Sequence, residues 1–177
     1  FKSIIMDNDQ LTTSLSSIRS KTAVVQIAKQ LKGDEAGIKL LYRLIDKHPG
    51  DIADKASWVA RTWFDIFKVN DLAFLKLNLK ALEKATADPV IRNLTGIFVD
   101  RGFPASFDSK ITTLCFNWLS DYSRATAVHA NALFLLTPIL QKYPELKHEV
   151  TFICEAHPQS DEPTFRWRLE RAMNFGF

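Results

Sequence analysis

The 177-residue chain is 46% apolar, 24% charged and 11% aromatic, with 23 Lys and Arg against 20 Asp and Glu, a net charge of +3. This excludes a disordered tail, a collagen-like rod and a disulfide scaffold, and 6 Gly with 7 Pro are too few for a sandwich of many short strands. The length suits a single domain over residues 1–177 with a core of its own, and so mild a charge permits an acidic partner without demanding one. Along the chain, Asp7-Asn8-Asp9 looks like the start of a calcium loop, but the Gly and the distal Glu are missing, so it reads as a helix cap. Ala23, Val24, Ile27, Ala28 and Leu31 recur at helical spacing and predict a helix over 20–32. Ile38, Leu41, Leu44 and Ile45 predict another over 35–47, stopped by His48-Pro49-Gly50, because Pro cannot continue the ladder and Gly takes the left-handed turn. The same spacing predicts helices over 51–68, 71–86, 89–100, 108–121, 125–141, 145–156 and 162–174. Short joins make neighbouring helices antiparallel, and the longest break surrounds Gly102-Phe103-Pro104. Strand signals are nearly absent.

The longest apolar run, Ala132 to Leu140, contains Thr137 and Pro138 and falls short of the ~18 residues of a membrane span. Cys115 and Cys154 sit in apolar helical runs, which predicts buried thiols in a reducing compartment. The chain opens on Phe1 rather than Met, so its true start is expected upstream, and no charged-then-apolar leader stands at its beginning. The expectation is a cytoplasmic protein.

A repeat runs through the helices. Lys55, Arg92, His129 and Arg166 recur every 37 residues, each preceded four residues earlier by Asp51, Asp88, Ala125 and Glu162. Pro89 and Pro163 fall two periods apart, each at the first turn of a helix, where a missing N–H costs nothing. Tyr42, Leu79, Phe116 and Ile153 make one apolar column, and Ile45, Leu82, Leu119 and Ala156 another. The unit is a helical hairpin present about four times (18–50, 51–87, 88–124 and 125–161) with a capping helix over 162–177. One hairpin cannot bury its apolar face alone, whereas a stack shares a continuous core. The expected fold is all-α, an α-α superhelix.

The acid-Pro-apolar-apolar-base opening Asp88-Pro89-Val90-Ile91-Arg92, matched by Glu162-Pro163-Thr164-Phe165-Arg166, resembles the HEAT-like (ARM-type) helical-repeat family. Asp51 to Lys55 lacks the Pro, and Ala125 to His129 lacks the acid and the strong base. The resemblance implies a solenoid with its second helices lining a concave face. It also implies that Asp51, Lys55, Asp88, Arg92, Glu162 and Arg166 form a structural ladder, each base meeting an acid of a neighbouring repeat. Some small proteins of this type carry the name adenylosuccinate lyase. The lyase's loop rich in Ser, Met, Pro and Lys-x-Asn-Pro is absent, so the resemblance does not bring that activity.

No Gly-rich phosphate loop, nucleophile elbow or Ser/His/Asp arrangement appears, and neither a catalytic set nor a cofactor is expected. His148 and His157 would face opposite sides of a helix, and no metal site is expected. Two basic triplets stand out. Lys76, Lys80 and Lys84 share one helix face, and one period earlier stand Lys39, Arg43 and Lys47. They read either as two solvated faces or as a site for an anionic partner. One period later Thr113, Asn117 and Asp121 end the stripe. The column of Trp63 continues as Asp100, Thr137 and Asn174, all polar, which makes Trp63 a candidate surface aromatic, with partial packing in the core as the other reading. Trp167 is expected to cover the open end of the core. The expected function is a non-enzymatic scaffold for a protein partner. The alternative is a nucleic-acid-binding protein, akin to HEAT-like DNA-alkylation-repair proteins, using a basic concave patch.

Overall fold

Asp7 accepts the backbone N–H of Gln10 while the Gln10 side chain accepts that of Asp7, a capping box that starts α1 (Asn8–Ser16). The structure, a computed structural model, describes residues 7–48, 50–158 and 160–174, so Pro49 lies outside the described residues. Ser20, Asp34 and Asp71 start α2 (Lys21–Gln30), α3 (Glu35–Lys47) and α5 (Leu72–Leu82) in the same chemical way, each side-chain oxygen accepting a first-turn N–H. Gly50 turns the chain into α4 (Asp51–Phe67) at φ 104°, a conformation that L side chains rarely adopt. The rest are α6 (Asp88–Arg101), α7 (Asp108–Ser120), α8 (Thr126–Lys142), α9 (Lys147–Glu155) and α10 (Pro163–Asn174), with 3₁₀ turns at Ala105–Phe107 and Pro144–Leu146. The described residues are thus all-α, with ten α-helices and no strand.

Two expected helices change shape. The one over 71–86 stops at Leu82, because Lys84 and Ala85 donate to carbonyls three residues back and tighten the last turn. The one over 145–156 opens as the 3₁₀ turn and becomes α-helical only at Lys147.

The helices form two compact units that meet in sequence at Arg101 and Gly102, where the longest break was expected. In the first unit α4 packs against α1, α2, α3 and α6, and α5 packs against α3 and α6. Buried Ala53, Ala56 and Ala60 let these neighbours come close to α4. Polar links tie the layers. Arg61 reaches Asp100 (3.2 Å), Arg101 reaches Asp65 (2.8 Å), and Asn93 donates to Ser57 Oγ (3.0 Å), all between α4 and α6. The guanidinium of Arg61 lies so close over Gly96 that a Cβ there would fall 2.5 Å from its Cζ.

A second tight approach carries a prediction. The Asp34 carboxylate caps α3 through the Gly37 N–H (2.8 Å) and is itself buried. A Cβ on Gly37 would stand 2.5 Å from Asp34 Oδ2 and 2.7 Å from Leu31 Cδ2. Gly37→Ala should therefore lower stability by about 1 kcal/mol, the worth of a cap, despite alanine's better helix propensity. Urea unfolding measures it, and a gain in stability would show the cap to be dispensable.

In the second unit α8 packs against α7 and α10, and α9 packs against the same two helices. Lys142 Nζ meets Asp108 Oδ2 at 2.6 Å, joining α8 to the start of α7. His129, in the repeat that lacks the strong base, is buried. Its Nε2 lies 3.1 Å from the Asp121 carbonyl and its Nδ1 lies 3.2 Å from Nε2 of His157. Trp167 is 48% exposed with the Arg171 guanidinium over its ring at 5.4 Å, so it covers less of the core end than its column suggests.

Candidate functional site

A groove of about 270 Å³ opens between α3 and α5, lined by Lys39, Tyr42, Arg43, Asp46, Leu77, Lys80, Ala81 and Lys84. Helix periodicity explains why these residues meet. Lys39, Tyr42, Arg43 and Asp46 follow i, i+3, i+4, i+7 on α3, and Leu77, Lys80, Ala81 and Lys84 repeat that pattern on α5 and just past its end. Four of the six cations singled out by sequence therefore stand around one groove. Lys47 and Lys76, the far ends of their rows, are exposed outside its lining.

The lining holds four cations and one carboxylate, a surplus of three positive charges. Lys84 Nζ bonds both oxygens of Asp46 (2.9 and 2.7 Å), and Lys39 lies 3.6 Å from Glu35 one turn away. Arg43 and Lys80 make no ion pair among the described residues. A concave site with low-dielectric walls concentrates such a field, so an anion entering here meets attraction from both helices at once. The pair Lys84–Asp46 crosses from α5 to α3 and closes one end of the lining.

Below the cations the groove is apolar. Leu77 and Ala81 supply aliphatic carbon, and Tyr42, only 5% exposed, supplies its ring. The Tyr42 hydroxyl donates to Asn78 Oδ1 (3.1 Å), and Asn78 Nδ2 donates to the Leu94 carbonyl (3.0 Å). This relay ties α3, α5 and α6 together beneath the groove. Burial pushes the Tyr42 hydroxyl far above its ordinary range, so it remains a neutral donor. These floor residues escaped the sequence reading because Tyr42, Leu77 and Ala81 look like ordinary members of apolar helix faces.

The other singled-out residues lie elsewhere. Trp63 is a correction: it is 6% exposed, packed edge-on against Phe64, Phe67 and Phe74 at 5.3, 6.2 and 5.1 Å. Its polar column misleads because the aromatic pocket is local to this part of the chain. Lys55 pairs with Asp51 one turn earlier on its own helix (2.6 Å) and reaches across to the Ser16 carbonyl (3.3 Å). Arg92, on the exposed side of α6, pulls down the carboxyl of Asp54, which burial and then Asp51 push up more strongly. Asp88 opens α6 and is half-buried. Glu162 and Arg166 are both exposed and share a first-turn backbone bond (3.0 Å). Two ion pairs that join α4 to α6, Arg61–Asp100 and Arg101–Asp65, carry no motif to announce them.

Among the described residues, no group of three or more His, Cys, Asp and Glu is placed to hold a metal ion. No described helix is long and apolar enough to cross a membrane. Cys115 and Cys154 are buried, and burial pushes both thiols up, Cys154 to about 12, so neither is poised as a thiolate. No protein-family model matches the chain, and no curated protein or solved structure matches it either.

Proposed function

We propose that the chain is a non-enzymatic HEAT-like scaffold that holds an acidic segment of a protein partner in the α3–α5 groove. The observation that carries this reading is the groove itself, with Arg43 and Lys80 unneutralised on opposite walls above an apolar floor. The repeat reading draws support from the first unit's cross-links. Tyr42–Asn78, Ser57–Asn93, Asp46–Lys84, Asp65–Arg101 and Arg61–Asp100 join residues 36 to 39 apart, close to the 37-residue period of the sequence.

Poly-glutamate labelled with a fluorophore tests the proposal by anisotropy. Arg43→Glu with Lys80→Glu should weaken binding about tenfold or more at low salt and leave the helical spectrum unchanged, since both side chains are exposed. Asp46→Asn should act the other way, because it removes the one acid of the lining and releases Lys84. Poly-glutamate binding indifferent to both changes would remove the groove from the reading. Tighter binding of duplex DNA, with a salt slope that falls by about one per cation removed, would make the protein a nucleic-acid binder instead.

A further inference from the structure

We infer that the groove's occupant is a short acidic segment carrying one large apolar side chain, with that side chain seated on Leu77 beside Ala81 and the flanking carboxylates on Lys39, Arg43 and Lys80. This rests on the reading of the groove as an acidic-partner site.

Three features of the site select such an occupant. The Tyr42 hydroxyl proton is already given to Asn78, whose amide donates in turn to the Leu94 carbonyl, so that proton is not offered to a ligand. What enters must match the aliphatic carbon of Leu77 and Ala81 or leave it wet. Size is the second feature. A cavity of about 150 Å³ admits a benzene ring, so 270 Å³ takes an aromatic or large aliphatic side chain and still leaves room for an anionic group above it. Reach is the third. Lys39 to Arg43, and Lys80 to Lys84, each span about one helical turn of 6 Å, which two extended residues cover. The segment that touches both walls is therefore short, an apolar residue with acids beside it.

The same features disfavour a nucleic-acid strand. Sequence-tolerant binding of single strands relies on bases stacking on exposed aromatic faces. Tyr42, the one aromatic side chain in the lining, is 5% exposed, too covered to be a stacking platform.

The test uses the whole chain and three fluorescent probes: a peptide with the core Asp-Glu-Phe-Glu-Asp, its counterpart with Ala for Phe, and a single-stranded oligonucleotide. The Phe peptide should bind about tenfold or more tighter than the Ala peptide, as expected for burying one aromatic side chain. Leu77→Ser, a change at a half-buried position, should bring that ratio close to one and leave the Ala peptide's affinity unchanged. Arg43→Glu with Lys80→Glu should lose both peptides. Equal affinity for the two peptides on the unaltered protein would overturn the apolar anchor while leaving an acidic-partner groove standing. Failure of both peptides and of poly-glutamate to bind would overturn the groove reading together with it. An oligonucleotide bound more tightly than either peptide would overturn the peptide occupant.

Discussion

Asn78→Leu should lower the unfolding free energy by about 2–3 kcal/mol, although leucine fills nearly the same space and suits a helix better. Asn78 is fully buried on α5, where its amide accepts from Tyr42 on α3 and donates to the Leu94 carbonyl on α6. Leucine would strand the Tyr42 hydroxyl in a place where water has little access, and an unpartnered buried donor costs about 1–3 kcal/mol. Tyr42→Phe alone strands the other end, the Asn78 carbonyl oxygen, and should cost about 1–2 kcal/mol. The double variant Tyr42→Phe with Asn78→Leu removes both ends of the bond, so its loss should be clearly smaller than the two single losses added. Urea unfolding of the four proteins gives the cycle. Additive losses would mean that the bond contributes nothing beyond packing, and an unchanged midpoint for Asn78→Leu would mean that the relay is solvated in solution.

The same relay marks the boundary of what the sequence discloses. Helices are legible because apolar residues recur at i, i+3 and i+4, and the cap at Asp7 is legible because a short oxygen-bearing side chain sits just before such a run, whereas Ser20, Asp34 and Asp71 emerge as caps only in the structure. The groove's cations are legible from two triplets in register. Its floor is not. Tyr42 stands in an apolar column, and nothing local tells a tyrosine whose hydroxyl is engaged from one that faces a ligand. Nor does composition reveal that Asp46, 38 residues before Lys84, neutralises one of the candidate cations. Trp63 shows the converse failure. A column of polar residues at its equivalent positions argues for exposure, but Phe64, Phe67 and Phe74 surround it, and their placement depends on how α4 and the first turn of α5 meet. Arg61–Asp100 and Arg101–Asp65 were illegible for a related reason: an Arg and an Asp about one repeat apart are common, and only packing decides which of them touch.

The second unit should lose stability as the pH falls below about 6.5, and His157→Gln should flatten that dependence. His129 and His157 are both buried, with ring centroids 4.5 Å apart. The Asp121 carbonyl can only accept, so His129 carries its proton on Nε2 and presents Nδ1 as an acceptor, and His157 Nε2–H donates to it. Around His157 stand Phe165, stacked at 4.6 Å, and Tyr122, edge-on at 5.0 Å, and neither brings a negative charge. Burial, and then the neighbouring His129, hold His157 below the ordinary histidine value of 6.5. The sign follows from linkage. Above 6.5 both folded and unfolded chains keep this histidine neutral and its contribution is complete. As the pH drops, the unfolded chain takes up a proton that the folded chain refuses, so stability falls until the lower folded-state value is passed, at a slope approaching 1.4 kcal/mol per pH unit for each proton refused, to order of magnitude. Glutamine at 157 does not titrate and still offers an N–H to His129 Nδ1. The variant should therefore be less sensitive between pH 7 and pH 5 even where it is less stable overall. His48 and His148 are exposed and, like His129, remain in both proteins, so the difference between the two profiles isolates His157. Thermal unfolding at a series of pH values measures it. Parallel profiles for the two proteins would show that His157 accepts a proton without strain, and its contact with His129 would then be a packing feature alone.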